Sequence, residues 1–135
     1  MPVKKVQPDK LPQRVVNGHL LYSHVVVTTG QNFAFISGQL ARAKDGSIVG
    51  PKDMRAQIKQ VGENLKAALE SVGATLADLV KTTTFVTDID EFFKHPEVRN
   101  GIFGQALPTS TTVEVRRLSH PDLMVEVEAM AVIDR

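Results

Sequence analysis

A chain of 135 residues in which sixteen Lys and Arg face fifteen Asp and Glu has a formal net charge of +1, so its overall field gives no reason to expect a nucleic acid or an anionic membrane as partner. It has no cysteine, which removes thiol nucleophiles, thiolate metal sites and disulfides together, and its aromatics are one Tyr and six Phe with no Trp, which argues against a base-stacking platform for single strands. Nowhere do about 18 apolar residues run together, which excludes a membrane-spanning helix, and the length suits one domain over residues 1–135.

The opening MPVKKVQPDKLPQRVVNG, residues 1–18, is poorly patterned and lacks the apolar core of a signal peptide, so a cytoplasmic protein is expected. HLLYSHVVVTTG and NFAFISGQL follow as two β-rich runs, and Gly30 and Asn32 between them suit the turn of a hairpin. In ARAKDGSIVG, Asp45-Gly46 marks a tight turn. From Pro51 the period changes: Met54, Ile58, Val61, Leu65, Ala68, Leu69 and Val72 recur at steps of three and four, predicting a helix with Pro51 in its first turn and Gly73 as its left-handed stop.

LADLVKTTTFVTDID reads as a strand from Val80 to Thr87, and a shorter helix is expected within DEFFKHPEVRNGIFGQAL, limited by Pro96 and Gly101. Two more strands, TTVEVRRL and MVEVEAMAVI, are separated by SHPD, which has the composition of a tight connection. The order β-β-α-β-α-β-β predicts an α+β fold, a mixed sheet with two helices on one face. In the last strand Val125, Val127, Ala129 and Ala131 suit packing under helices, but Glu126, Glu128, Met130 and Val132 are half apolar too. That outer face, with Phe33, Phe35 and Ile36, is expected to be covered by neighbouring identical chains in a closed ring.

In PTSTTVEV, Ser110, Thr112, Glu114 and Arg116 share one strand face, and Thr109, Thr111, Val113 and Val115 the other. Hydroxyls so placed either line a pocket for a small polar molecule or form a solvated face. The four histidines show no HxxxH or HxH spacing, so no metal site is expected. No nucleophile elbow or phosphate-cradling glycine run occurs, and Ser110 and Thr112 have no adjacent base, which leaves them as neutral hydrogen-bond donors.

LLYSHVVV, FISGQL, ENLKAALESVGATLADLVKTTTFVTDID, PTSTTVEVRRL and VEVEAMAV, in this order from about Leu21 to Ile133, resemble the Rid (reactive intermediate deaminase) or YjgF family. The resemblance implies a chorismate-mutase-like fold, a homotrimer whose sheets form an inner barrel, and three inter-subunit clefts. In active members these clefts hydrolyse enamines or imines to ketoacids and ammonia without a cofactor. It implies a substrate-binding role for Tyr22 in LLYSH and for the backbone of Gly38 in FISGQ. It makes Glu126 the catalytic group that holds or polarises water, and Asn100 in RNGIF a looser match to a second-helix asparagine.

The departure is at Pro108-Thr109-Ser110-Thr111, where the family's deaminases carry an arginine at the position of Ser110. An arginine fork holds a carboxylate through two charge-assisted bonds, whereas a serine offers one neutral donor on a shorter arm. With Ser110 and Thr112 as the substrate-binding hydroxyls, the chain resembles an arginine-lacking subgroup. The expectation is a protein that binds a small polar metabolite, either an imine or enamine deaminase of altered range or a non-catalytic metabolite sensor or protein-interaction trimer. Arg116 stands roughly 20 Å along the strand from Ser110, too far to replace the missing fork within one subunit. His24, two residues after Tyr22 on the same face, is a proton carrier, a wall of the cleft or a plain surface histidine.

Overall fold

The computed structural model describes residues 3–11, 13, 15, 16, 18–20 and 22–134, so parts of the 1–18 segment, Leu21 at the head of the family resemblance and Arg135 lie outside the described residues. In chain order the strands are β1 (Val3–Val6), β2 (Val15–Val16), β3 (His19–Leu20), β4 (Val25–Thr28), β5 (Asn32–Leu40), β6 (Leu79–Val86), β7 (Thr109–Glu114) and β8 (Val125–Ile133). The helices are α1 (Met54–Glu70), α2 (Ile89–Phe92) and α3 (Pro96–Phe103), with a 3-10 turn at Leu76–Asp78. The main sheet runs β5-β8-β6-β7. Its one parallel pair, β6 with β7, is joined through α2 and α3, as a crossover requires.

Burial follows the period-two pattern of β8. Val125, Val127, Ala129 and Ala131 are all at most 8% exposed and form the floor on which α1 lies. On β6 the same face carries Thr82, Thr84 and Val86, all buried. Helix α1 buries Met54, Ile58, Val61, Leu65 and Leu69 as its stripe predicts. Its cap is Asp53, whose Oδ1 accepts from the Ala56 N–H at 3.0 Å, so Pro51 precedes the helix instead of opening it. Gly73 has φ +75° and ends it as expected, but Val72 lies beyond the last turn and is 54% exposed.

A polar residue inside the stripe ties α1 to β8. Gln57 is fully buried, and its Nε2 donates to Gly50 O at 3.0 Å and Asp122 O at 2.7 Å, while its Oε1 accepts from Met124 N–H at 2.8 Å. Three backbone groups that would otherwise be orphaned are thereby satisfied.

Two expectations are corrected. The single shorter helix is two, because Asp88 caps α2 through the Glu91 N–H and Pro96 opens α3 afresh at its first turn. The expected hairpin between the two early β-rich runs does not form: β4 pairs antiparallel with β1, from Val3 opposite Thr28 to Val6 opposite Val25. Gly30 lacks the positive φ that a tight hairpin turn uses. It serves close approach instead, since a Cβ there would overlap Val132 Cγ1. The Asp45-Gly46 turn does form, with Gly46 at φ +89° and Arg42 bridged to Ile48.

Candidate functional site

One half of the site lies on the sheet face away from the helices. The register of β5 against β8 slips between Ile36 opposite Ala129 and Gln39 opposite Val127, so Ser37 and Gly38 form a bulge. The bulge lays the Gly38 backbone against the Glu126 carboxylate, leaving no space for a side chain between them. Glu126 is level with Phe85 on β6, and Glu128 with Thr83. Beside them an open depression of about 410 Å³ is lined by Phe35, Ser37, Lys81, Thr83, Glu128 and Met130. Neither carboxylate has an ion-pair partner among the described residues.

The other half is built where β7 begins. Ser23 is 2% exposed; its N–H donates to Pro108 O at 3.1 Å and its hydroxyl to Leu107 O at 2.6 Å. Leu107 has φ +48°, a left-handed conformation that costs a branched residue on the order of 1–2 kcal/mol, and the Ser23 hydroxyl helps to hold it. With Ser23 turned inward, Tyr22 and His24 flank it, their rings edge-on with centroids 5.2 Å apart. Gln7 clamps this segment from the side: its Nε2 donates to Tyr22 O at 2.7 Å and its Oε1 accepts from His24 N–H at 3.0 Å. Composition gives no sign of Gln7, Ser23 or Leu107, because their roles depend on contacts distant in sequence.

Strand β7 continues from there. Thr109 Oγ1 donates to Val80 O at 3.2 Å, and Ser110 and Thr112 stand level with Thr82 and Thr84, on the helix side of the sheet. Ser110 is exposed and Thr112 half-buried. Glu126 is on the opposite face and level with Val113, three residues further along β7 from Ser110, or about 10 Å. One chain therefore brings together Gly38 with Glu126, and Tyr22 with His24 and the start of β7, as two separate half-sites. Asn100 is placed in α3, its carboxamide oxygen turned onto Gly104.

Lys81 is the basic group that lines the depression beside Glu128, while two arginines are engaged elsewhere. Arg42 Nη1 donates to Gly46 O at 2.7 Å within its own turn, and the Arg99 guanidinium stacks on Phe92 and Phe93, 4.7 and 4.8 Å from their ring centres. The carboxyls held below their ordinary values lie elsewhere: Asp45 by the Ser47 hydroxyl, Glu91 by Lys94 and then His95, and Glu97 by a backbone N–H and then Arg55. Among the described residues no group of three or more His, Asp or Glu is gathered to hold a metal ion, and no helix is long and apolar enough to cross a membrane.

A mixed sheet with α1 across it and a carboxylate on its uncovered face defines a small α+β protein of the chorismate-mutase-like type, the fold of its structural neighbours. The Endoribonuclease L-PSP family profile matches residues 16–133, and the chain belongs to that family, also called Rid or YjgF. It is 40% identical over 100 residues to a RutC family protein of Pyrococcus abyssi, covering 74% of this chain and 78% of that one. It is 36% identical over 105 residues to the 2-iminobutanoate/2-iminopropanoate deaminase of Escherichia coli K12, covering 75% and 80%. The crystal structure of YyfB, of the Rid family in Yersinia pestis, superposes with a TM-score of 0.85 at 28% identity over 98% of this chain and 100% of that one. RidA from an Antarctic Psychrobacter superposes at 0.69 with 32% identity, covering 96% and 99%.

Proposed function

We propose that this protein binds a small polar metabolite in clefts between identical subunits of a cytoplasmic homotrimer and hydrolyses an imine or enamine there without a cofactor. The observation that carries the proposal is the contact of the Gly38 backbone with a Glu126 carboxylate that has no ion-pair partner among the described residues, on the uncovered sheet face. Such a carboxylate is free to take a proton from water. The water oxygen bonds to the imine carbon as the C=N π bond opens onto nitrogen, and the proton passes through Glu126 to that nitrogen. Collapse of the resulting carbinolamine passes its hydroxyl proton to the nitrogen and breaks the C–N bond, releasing ammonia and leaving a keto group. Tyr22 and the Gly38 backbone hold the substrate, and Asn100 is a further contact carried by resemblance alone.

The similarity to a 2-iminobutanoate/2-iminopropanoate deaminase supports this chemistry, while Ser110 supports a changed substrate range. Ser110 and Thr112 offer neutral donors where a guanidinium would clamp a carboxylate, so substrates without one are favoured. The same serine favours a second reading, a trimer that senses a metabolite or binds a protein and no longer turns anything over. Nuclease activity fits poorly with a net charge of +1. The test generates 2-iminopropionate and carboxylate-free imines in situ and follows ammonia release. Acceleration lost in Glu126→Ala supports the hydrolase; ligand binding without acceleration supports the sensor.

A further inference from the structure

We propose that the depression on the uncovered sheet face is a ligand site of its own, taking an apolar α-amino acid as its zwitterion, with the carboxylate on Lys81 and the ammonium on Glu128. Its volume of about 410 Å³ lies within the roughly 300–1,000 Å³ of small-molecule pockets. Register places one charge of each sign in its wall. Lys81 on β6 stands opposite Met130 on β8, and Thr83 opposite Glu128, so Lys81 and Glu128 are diagonal neighbours about 7–8 Å apart at the backbone. Long arms of opposite sign so placed can meet, yet neither side chain has an ion-pair partner among the described residues, and both are exposed.

Two opposite charges held apart select a ligand that carries both. A simple anion drawn to Lys81 meets Glu128, and a simple cation drawn to Glu128 meets Lys81, whereas an α-amino acid offers each the opposite sign at once. The Ser37 and Thr83 hydroxyls line the same depression and add neutral donors and acceptors. Its other end is apolar: Phe35 on β5 stands opposite Met130 and is 79% exposed. An apolar side chain laid there covers that ring and gains the burial that two solvated charges do not supply. The site adjoins the proposed cleft without using its residues, since Glu126 lies two residues along β8 from Glu128, or about 7 Å. It does not rest on the turnover of an imine.

Leucine binding is followed by isothermal titration calorimetry on the full chain, beside leucinamide, which lacks the carboxylate, and isocaproate, which lacks the ammonium. Leucine is expected to bind saturably, one molecule per chain, and at least tenfold more tightly than either analogue. Lys81→Met should erase the preference over leucinamide, and Glu128→Gln the preference over isocaproate, while Glu126→Ala keeps both. The analogues probe the parent protein, so a variant that fails to fold leaves the answer readable. Absence of saturable binding by leucine, methionine and phenylalanine overturns the proposal, and a changed assembly state in each single variant would then assign the two charges to pairing between copies. Preferences that survive in folded Lys81→Met and Glu128→Gln also overturn it, as does their loss in Glu126→Ala, which would move the amino acid to the proposed cleft. No step measures turnover, so an inactive protein can still be tested.

Discussion

Gly38 and Glu126 occupy one space: a methyl group on Gly38 would overlap the Glu126 carboxylate. Gly38→Ala is therefore expected to swing the flexible Glu126 side chain aside and to destabilise the folded chain by about 1 kcal/mol, the low end of the cost of overpacking. In a Glu126→Ala background the methyl has room, and the same substitution should cost under about 0.5 kcal/mol. A thermodynamic cycle by urea titration of the four proteins measures the coupling. Equal costs in both backgrounds would show that the bulge tolerates displacement of the carboxylate.

Arg55 on α1 and Glu97 on α3 form an exposed ion pair between the two helices. Glu97 titrates below its ordinary value of 4.5, through a backbone N–H and then Arg55. A carboxyl whose folded value is depressed adds stability above its unfolded value and loses it as pH falls through the folded one, so the window lies below 4.5. Glu97→Gln should lower the melting temperature slightly at pH 7, and the difference from the parent protein should shrink as the pH falls below 4.5. A gap that persists at acid pH would assign the effect to packing instead.

Gln57 satisfies three backbone groups from a fully buried position. Replacing it with leucine keeps the volume and strands all three, at about 1–3 kcal/mol for a buried group left without a partner. The expected total loss is about 3 kcal/mol or more, read from the urea midpoint. Faster amide exchange should be confined to Met124 and its neighbours. A neutral result would mean that water replaces the amide.

What was legible in the sequence follows from what is local. The period of β8 assigns Val125 and Glu126 to opposite faces whatever else the chain does, and the spacing of Met54 to Leu69 fixes which side of α1 is buried. Gln57 interrupts that stripe with a polar letter, and only the loop before β8 reveals its purpose. The TTGQN turn failed for a similar reason. Glycine marks both turns and close approach, and whether Gly30 bends the chain or admits Val132 depends on which strand β4 pairs with, a tertiary matter. Leu107 carries no mark at all: leucine before proline disfavours helix, and its left-handed φ is held by Ser23, 84 residues away. Which of the singled-out residues share a surface was not legible: Gly38 lies with Glu126 and Tyr22 with the start of β7, since that depends on strand order and register.

Ser110 is exposed near the start of β7, close in sequence to the Pro108 carbonyl that anchors the Tyr22 segment. On the proposed function, Ser110→Arg supplies a fork for a substrate carboxylate. A charge-assisted bond is worth about 1.5–3 kcal/mol, so kcat/KM for 2-iminopropionate should rise roughly tenfold to a hundredfold. The gain should appear mainly as a lower KM, because a carboxylate clamp holds ground and transition states alike, with a smaller rise in kcat from better alignment. Carboxylate-free imines should gain nothing. If the arginine leaves imino-acid turnover unchanged while Glu126→Ala still abolishes activity on other imines, the carboxylate end of the cleft lies elsewhere than beside β7.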